Sequence, residues 1–248
     1  ITVENCNLII TILYKGGIKM KNVYIVAGGP GDPELITLKA KRLIDSADYI
    51  FTSKRFIAEE MLEDVKEGCQ ILNHFEYSYE DKLGLARKVY DQDKLLIFLS
   101  MGDPSVFGAN RGLVDRLEKN NIDFEIVPGV GAFNAASARL KRCYTGLGIT
   151  NTAICTSYKD VDQPREYLEQ IASLGASVSL FMSVNKIDEI SEIFMKYYPA
   201  DTAVVLLSKI TWEEERIVRG NLTNIAGRVK KAGVEDGLIV IGDFIDAE

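Results

Sequence analysis

The sequence predicts an α/β protein of two α/β domains, and three observations carry that expectation. From residue 23 onward, short uninterrupted apolar runs alternate with segments of helical apolar spacing. Two of those runs end in loops rich in Gly and Pro, Gly28-Gly29-Pro30-Gly31-Asp32-Pro33 and Gly102-Asp103-Pro104, at the strand ends where an open parallel sheet receives its ligand. The chain has 248 residues, which leaves room for two domains of about 100 to 150 residues.

The first strand is Val23-Tyr24-Ile25-Val26, followed by a helix over 35–47. A strand is expected over 49–51, a helix over 56–65, a weak strand over 69–72 after Gly68 and a helix over 83–90. The apolar run 95–99 is a further strand, ahead of a helix over 108–120 and a strand over 124–127. Strands apolar on both faces imply a parallel sheet covered on both sides. After Pro128-Gly129-Val130-Gly131 comes a small-residue helix over 132–140. The joint is placed at 141–148, giving an N-terminal domain over 20–142 and a C-terminal domain over 143–248. In the second, strands over 152–156, 177–183, 203–208 and 237–242 accompany helices over 166–172, 187–197 and 222–231.

Residues 1–19 read differently. Lys15-Gly16-Gly17-Ile18-Lys19-Met20 back-translates to a purine-rich stretch ahead of a start codon, which makes 1–19 a translated leader with the start at Met20. The alternative is a β-hairpin turning at Gly16-Gly17.

Composition narrows the function classes. With 47% hydrophobic and 26% charged residues the chain is neither disordered nor fibrous. The net charge is −7 and no basic cluster stands out, which argues against a nucleic-acid partner. The longest apolar run, 8–14, falls far short of the roughly 20 residues of a membrane span. Glu4 and the lack of Lys or Arg before that run argue against a signal peptide. Cys6, Cys69, Cys143 and Cys155 stand singly, without zinc spacing or a disulfide framework. A cytoplasmic protein with reduced thiols is the expectation.

The Gly28 loop lacks the G-x-G-x-x-G spacing of a dinucleotide site. It is either a tight turn with Asp32 capping the next helix or a loop open enough for a large ligand to lie on its backbone. Asp103 is the strongest polar candidate; its carboxylate either faces the crevice or caps a helix whose first residue is Pro104. The loop 128–132 either admits close backbone approach or simply connects domains. His74, the single histidine, has no second ligand or nucleophile motif beside it, so neither a metal site nor a triad is expected. Trp212, the single tryptophan, precedes Glu213-Glu214-Glu215-Arg216, which reads as a solvated turn or helix start. Tyr77, Tyr79, Tyr144 and Tyr158 either line an aromatic pocket or fill half-buried surface.

Taken together, Val23-Tyr24-Ile25-Val26-Ala27-Gly28-Gly29-Pro30-Gly31-Asp32-Pro33, Gly102-Asp103-Pro104-Ser105-Val106-Phe107-Gly108 and Val127-Pro128-Gly129-Val130 resemble the tetrapyrrole methylase family. Its members methylate corrin and sirohaem precursors with S-adenosylmethionine, and the likeness spans about residues 21–244. Phe133-Asn134-Ala135-Ala136 and the stretch 212–222 resemble the group acting on carbon 11 of precorrin-4 or cobalt-precorrin-4 in cobalamin biosynthesis. The resemblance implies a mixed sheet in the C-terminal domain, a ligand cleft between the domains, a homodimer, and S-adenosylmethionine folded in the cleft. Carried over by position, the donor site involves Gly102, Asp103, Val106, Gly131, Ala132, Met182, Ile210 and Leu238. Gly29, Pro30, Gly31 and Asp32 would face the macrocycle.

Methyl transfer from a sulfonium is an in-line displacement, so positioning and water exclusion supply the catalysis and no nucleophilic side chain or metal is expected. Asp103 is the best candidate for any catalytic contribution. A macrocycle rich in carboxylates calls for cations near the cleft: Lys54 and Arg111, with Arg55, Lys159 and Lys209 as further candidates. The chain departs from the precorrin-4 group at Phe51-Thr52-Ser53-Lys54-Arg55-Phe56, at Ser100-Met101, at 143–149 and at Thr156-Ser157. These changes fall on the acceptor side and leave open another tetrapyrrole acceptor, or a paralogue that binds donor or tetrapyrrole without turnover.

Overall fold

The computed structural model describes residues 21–53, 55–107, 110–159 and 163–246. The leader 1–19 and Lys54 lie outside the described residues. Strands β1 (Val23–Ala27), β2 (Tyr49–Thr52), β3 (Gln70–Asn73), β4 (Leu96–Ser100) and β5 (Glu125–Val127) form a sheet in the order β3-β2-β4-β1-β5, with every neighbouring pair parallel. Strands β6 (Ala153–Ser157), β7 (Ser177–Phe181), β8 (Ala203–Ser208), β9 (Arg216–Asn221) and β10 (Leu238–Ile241) form a second sheet in the order β6-β7-β10-β8-β9. Only β6 and β7 run parallel there, so this sheet is mixed. The helices are α1 (Leu38–Ser46), α2 (Tyr79–Asp91), α3 (Arg111–Lys119), α4 (Ala132–Leu140), α5 (Arg165–Ala172), α6 (Ile187–Phe194) and α7 (Ile225–Ala232).

The uninterrupted apolar strands divide by parity, because successive side chains point to opposite faces. Tyr24 and Val26 pack with Leu43 and Ile44 of α1, whereas Val23 and Ile25 pack with Leu83 of α2 and Leu113 and Leu117 of α3. In the second sheet, Val178, Leu180, Val204 and Leu206 face α5, α6 and α7. Val205, Leu207 and Val240 instead face Ala135, Ala136 and Leu140 of α4. Helix α4 precedes the expected joint at 141–148, yet it packs on the second sheet.

Three expectations are corrected. The helix over 35–47 divides in two: Asp32 caps a 3-10 turn at Pro33–Leu35, Ile36 is extended, and Thr37 Oγ1 accepts from the Ala40 N–H at 3.1 Å to start α1. The segment 56–65 has helical apolar spacing but forms only a 3-10 turn, Glu59–Leu62. There the Lys66 N–H donates to Asp45 O and Gly68 takes a φ of +81°, turning the chain back toward the edge strand β3. Strand β9 was not expected, because an antiparallel edge strand with mostly exposed side chains lacks an apolar run.

The topology positions the site. From β1 the chain leaves over α1 toward β2, and from the adjacent β4 it leaves over α3 toward β5, on the opposite face. The loops after β1 and β4 therefore flank a topological switch point, where open α/β sheets bind ligands.

Candidate functional site

The two loops are joined directly. The Gly29 N–H donates to Gly102 O at 3.3 Å, and the Gly102 N–H donates to Gly29 O at 2.7 Å. Gly29 and Gly102 take φ of +73° and +68°, a backbone that L side chains resist. Asp103 follows, 9% exposed. Its Oδ1 accepts from the Ser105 N–H at 2.9 Å and the Ser105 hydroxyl at 2.7 Å, an Asx turn. Helix α3 begins only at Arg111, so Asp103 is not its cap. The second carboxylate oxygen has no hydrogen bond among the described residues and is open to accept one. Across from it lies Gly131, where an added Cβ would stand 3.5 Å from the Asp103 Cβ. The loops after β4 and β5 thus stand about one methyl group apart at this point.

The second sheet supplies the facing wall. The Phe107 ring stacks on Phe181 at the end of β7, with centroids 4.5 Å apart. Ala132, Phe181, Ile210 and Leu238 belong to one apolar cluster. Met182, Lys209 and Thr211 all have positive φ, +52°, +47° and +70°. Such conformations are costly for non-glycine residues, above all a β-branched one, and concentrate at functional loops. Thr211 is held there on both sides: its N–H donates to Glu215 Oε2 at 2.8 Å and its Oγ1 accepts from the Asp32 N–H at 2.9 Å. Arg139 of α4 grips Glu215 through Nε at 2.9 Å and Nη2 at 2.6 Å.

Of the donor residues expected from sequence, Asp103 and Gly131 are near enough that a methyl group added at Gly131 would touch Asp103, and Ala132, Ile210 and Leu238 share the apolar cluster. Val106 and Met182, each 55% exposed, are on the surface of the loops beside Phe107 and Phe181. Pro30 and Gly31 are buried under the Trp212 indole, whose Nε1 donates to Pro30 O at 3.0 Å, and Asp32 is half-buried beside them. Arg55 and Arg111 are exposed. Lys159 Nζ lies 3.5 Å from Met182 Sδ, and Lys209 pairs with Glu214 at 3.1 Å.

The four tyrosines do not share one pocket. Tyr77 packs edge-on to Phe51 and Tyr79 receives Arg116, both at the first sheet, while Tyr144 stacks on Phe133 and Tyr158 donates to Glu189 at the second. The 213–216 charge run is a turn leading into β9. Sequence alone assigns no contact to Trp212, to the Thr211 side chain or to the Arg139–Glu215 pair, because Pro30 is 182 residues from Trp212, Asp32 is 179 from Thr211, and Arg139 is 76 from Glu215. The single tryptophan beside a loop was the one available signal. Among the described residues, no group of three or more His, Cys, Asp or Glu is placed to hold a metal ion, and no helix is long and apolar enough to cross a membrane.

Known proteins resemble this chain in sequence and in fold. The cobalt-precorrin-4 C(11)-methyltransferase of Methanocaldococcus jannaschii is 36% identical over 230 residues, covering 91% of this chain and 89% of that protein. The S-adenosyl-L-methionine-dependent uroporphyrinogen III methyltransferase of Methanosarcina barkeri is 31% identical over 239 residues, 90% of this chain and 91% of its own. The X-ray structure of a cobalt precorrin-4 methyltransferase superposes with a TM-score of 0.85 at 26% identity, over 94% of this chain and 100% of the other. The sequence profile of the Tetrapyrrole (Corrin/Porphyrin) Methylases matches residues 22–226, and the chain belongs to that family.

Proposed function

We propose that the protein is an S-adenosylmethionine-dependent C-methyltransferase that methylates carbon 11 of cobalt-precorrin-4 or precorrin-4 in cobalamin biosynthesis. The observation that supports this is the pair of joined loops after β1 and β4, with buried Asp103 beside them and Phe107 stacked on Phe181 of the second sheet, in a chain 36% identical to a relative of that name. The residues fit the donor. Asp103 keeps a carboxylate oxygen free for its ammonium or ribose hydroxyls, Gly131 leaves room for close approach, and Ala132, Ile210 and Leu238 offer an apolar surface. Bound S-adenosylmethionine supplies an electrophilic methyl group on a sulfonium. The protein's part is to hold and aim it with water excluded, and such positioning is worth roughly 7 to 11 kcal/mol. The donor site comprises Gly102, Asp103, Val106, Gly131, Ala132, Met182, Ile210 and Leu238. Gly29, Pro30, Gly31 and Asp32 are assigned to the acceptor side, with half-buried Asp32 the one of them not buried; Arg111 and Lys54 are assigned to the acceptor's carboxylates.

The same reading includes a division into domains over 20–142 and 143–248, a homodimer and a cytoplasmic location. Cys69, Cys143 and Cys155 are free thiols, which supports a reducing compartment. Light scattering on the purified protein tests the dimer. For the activity, methyl-labelled S-adenosylmethionine is incubated with cobalt-precorrin-4, precorrin-4 and uroporphyrinogen III. One labelled methyl on a precorrin-4 form, with one equivalent of S-adenosylhomocysteine, is expected. Transfer only to uroporphyrinogen III, or donor binding without transfer to any, overturns the acceptor assignment.

A further inference from the structure

Among the described residues, the contacts noted between the first sheet's loops and the second sheet fall after β1, at Pro30 and Asp32, and after β4, at Phe107. The carboxyl ends of β2 and β3 lie to one side of these in the strand order, and Arg55, Phe75 and Tyr77 there are exposed. Close to this end, in the first turns of α2, Lys82 is only 4% exposed. Its ammonium lies 5.3 Å from the Tyr79 ring centroid and 5.9 Å from that of Phe51. Among the described residues the ammonium has neither a hydrogen bond nor an ion pair.

Lysines are almost never this buried without an anionic partner. Two ring faces offset part of the desolvation, yet burial still pushes the Lys82 ammonium down against the opposing pull of Asp81. Half-buried His74, pushed down first by burial and then by the Lys82 charge, is neutral or cationic in either protonation state and is no counter-charge for an ammonium. The frame is braced, because the Arg116 guanidinium stacks 4.1 Å over the Tyr79 ring. The missing component is an anion.

We propose that Lys82 is a substrate-binding residue whose ammonium receives a peripheral carboxylate of the tetrapyrrole at the end of the crevice beyond β2 and β3. This rests on the methyltransferase reading above. A carboxylate completes a charge-assisted hydrogen bond with an ammonium already held between rings at the end of a buried stem, so little ordering remains to be done on binding. The sequence reading placed its substrate cations on loops and at a helix start; it passed over Lys82 because the residue sits within the apolar spacing of α2, beside Leu83 and Ala86.

The test compares wild type with Lys82→Met, which keeps length and removes charge, and with Lys82→Gln should the apolar variant not fold. With cobalt-precorrin-4 as acceptor, KM is expected to rise roughly tenfold or more, with little change in kcat or in the affinity for S-adenosylhomocysteine. Lys82→Arg should recover part of the loss. A folded variant with wild-type KM overturns the proposal and makes Lys82 a structural lysine, in which case Lys82→Met would be neutral or stabilising. Fluorescence titration with uroporphyrin, an octacarboxylate macrocycle, reads the contact without turnover: weaker binding by the variant supports it and equal binding overturns it. Failure of wild type to methylate any acceptor strikes the activity assignment and leaves that titration to decide Lys82.

Discussion

The Trp212 indole N–H donates to the Pro30 carbonyl oxygen at 3.0 Å, joining the turn after β8 to the loop after β1. Gly31 lies directly beneath the ring: an added Cβ would come 2.3 Å from Trp212 Cδ1. Gly31→Ala must therefore displace the indole, at a cost of about 1 to 3 kcal/mol for overpacking. Urea denaturation should show this loss, and a smaller one when the same alanine is placed in a Trp212→Ala background. Strictly additive losses would mean that the two residues do not press on each other.

Asp103 separates two roles within one carboxylate. Oδ1 holds the Ser105 turn, and the other oxygen has no hydrogen bond among the described residues. Asp103→Asn preserves an acceptor for the turn and removes the charge. It should leave the melting temperature near that of wild type while weakening S-adenosylhomocysteine binding by about 1 to 3 kcal/mol, measured by calorimetry. If affinity is unchanged in the folded variant, Asp103 serves the turn alone.

Glu215 gives the inter-element network a pH dependence. Burial alone would push its carboxyl up, but the Arg139 guanidinium and the Thr211 N–H outweigh that and hold it below its ordinary value. A carboxyl lowered in the folded state contributes stability that is present above its unfolded pKa, about 4.3, and is lost as pH falls through the folded value. Glu215→Gln should therefore cost about 1 kcal/mol at neutral pH. The gap to wild type should close below about pH 4. A gap that stays constant with pH would place the loss in packing.

The fold was legible wherever local rules decide. Uninterrupted apolar runs such as 95–99 and the Pro-Gly loops marked the strands and the switch point, since burial on both faces leaves a compositional trace. The segment 56–65 misled because helical spacing cannot report that Gly68 and the Lys66–Asp45 bond redirect the chain. Asp103 was found because it ends a strand; Thr211 was missed because its side chain meets Asp32, 179 residues away, and no local pattern marks its positive φ. Lys82 drew no assignment from sequence, because only the packing of Phe51 and Tyr79 around it shows that it is buried.

Two buried phenols contribute to the alkaline sensitivity of the second sheet. Tyr144 donates to Phe133 O at 3.1 Å and accepts from the Ser179 hydroxyl at 3.0 Å; Tyr198 donates to Ala176 O at 2.7 Å. Burial pushes both phenols up, that of Tyr198 to about 12. An acid whose pKa is raised by folding keeps its full contribution below the unfolded value, about 10, and loses it as pH climbs from there toward the folded value. Each phenol should then cost about 1.4 kcal/mol of stability per pH unit above about 10. Tyr198→Phe removes one of them, so its stability should fall less steeply with pH than that of wild type in urea titrations spanning this range. It should also be less stable at neutral pH, because the Ala176 carbonyl loses its partner in the core. Parallel pH profiles for the two proteins would show that the Tyr198 phenol ionises as readily folded as unfolded, and that its burial carries no electrostatic consequence.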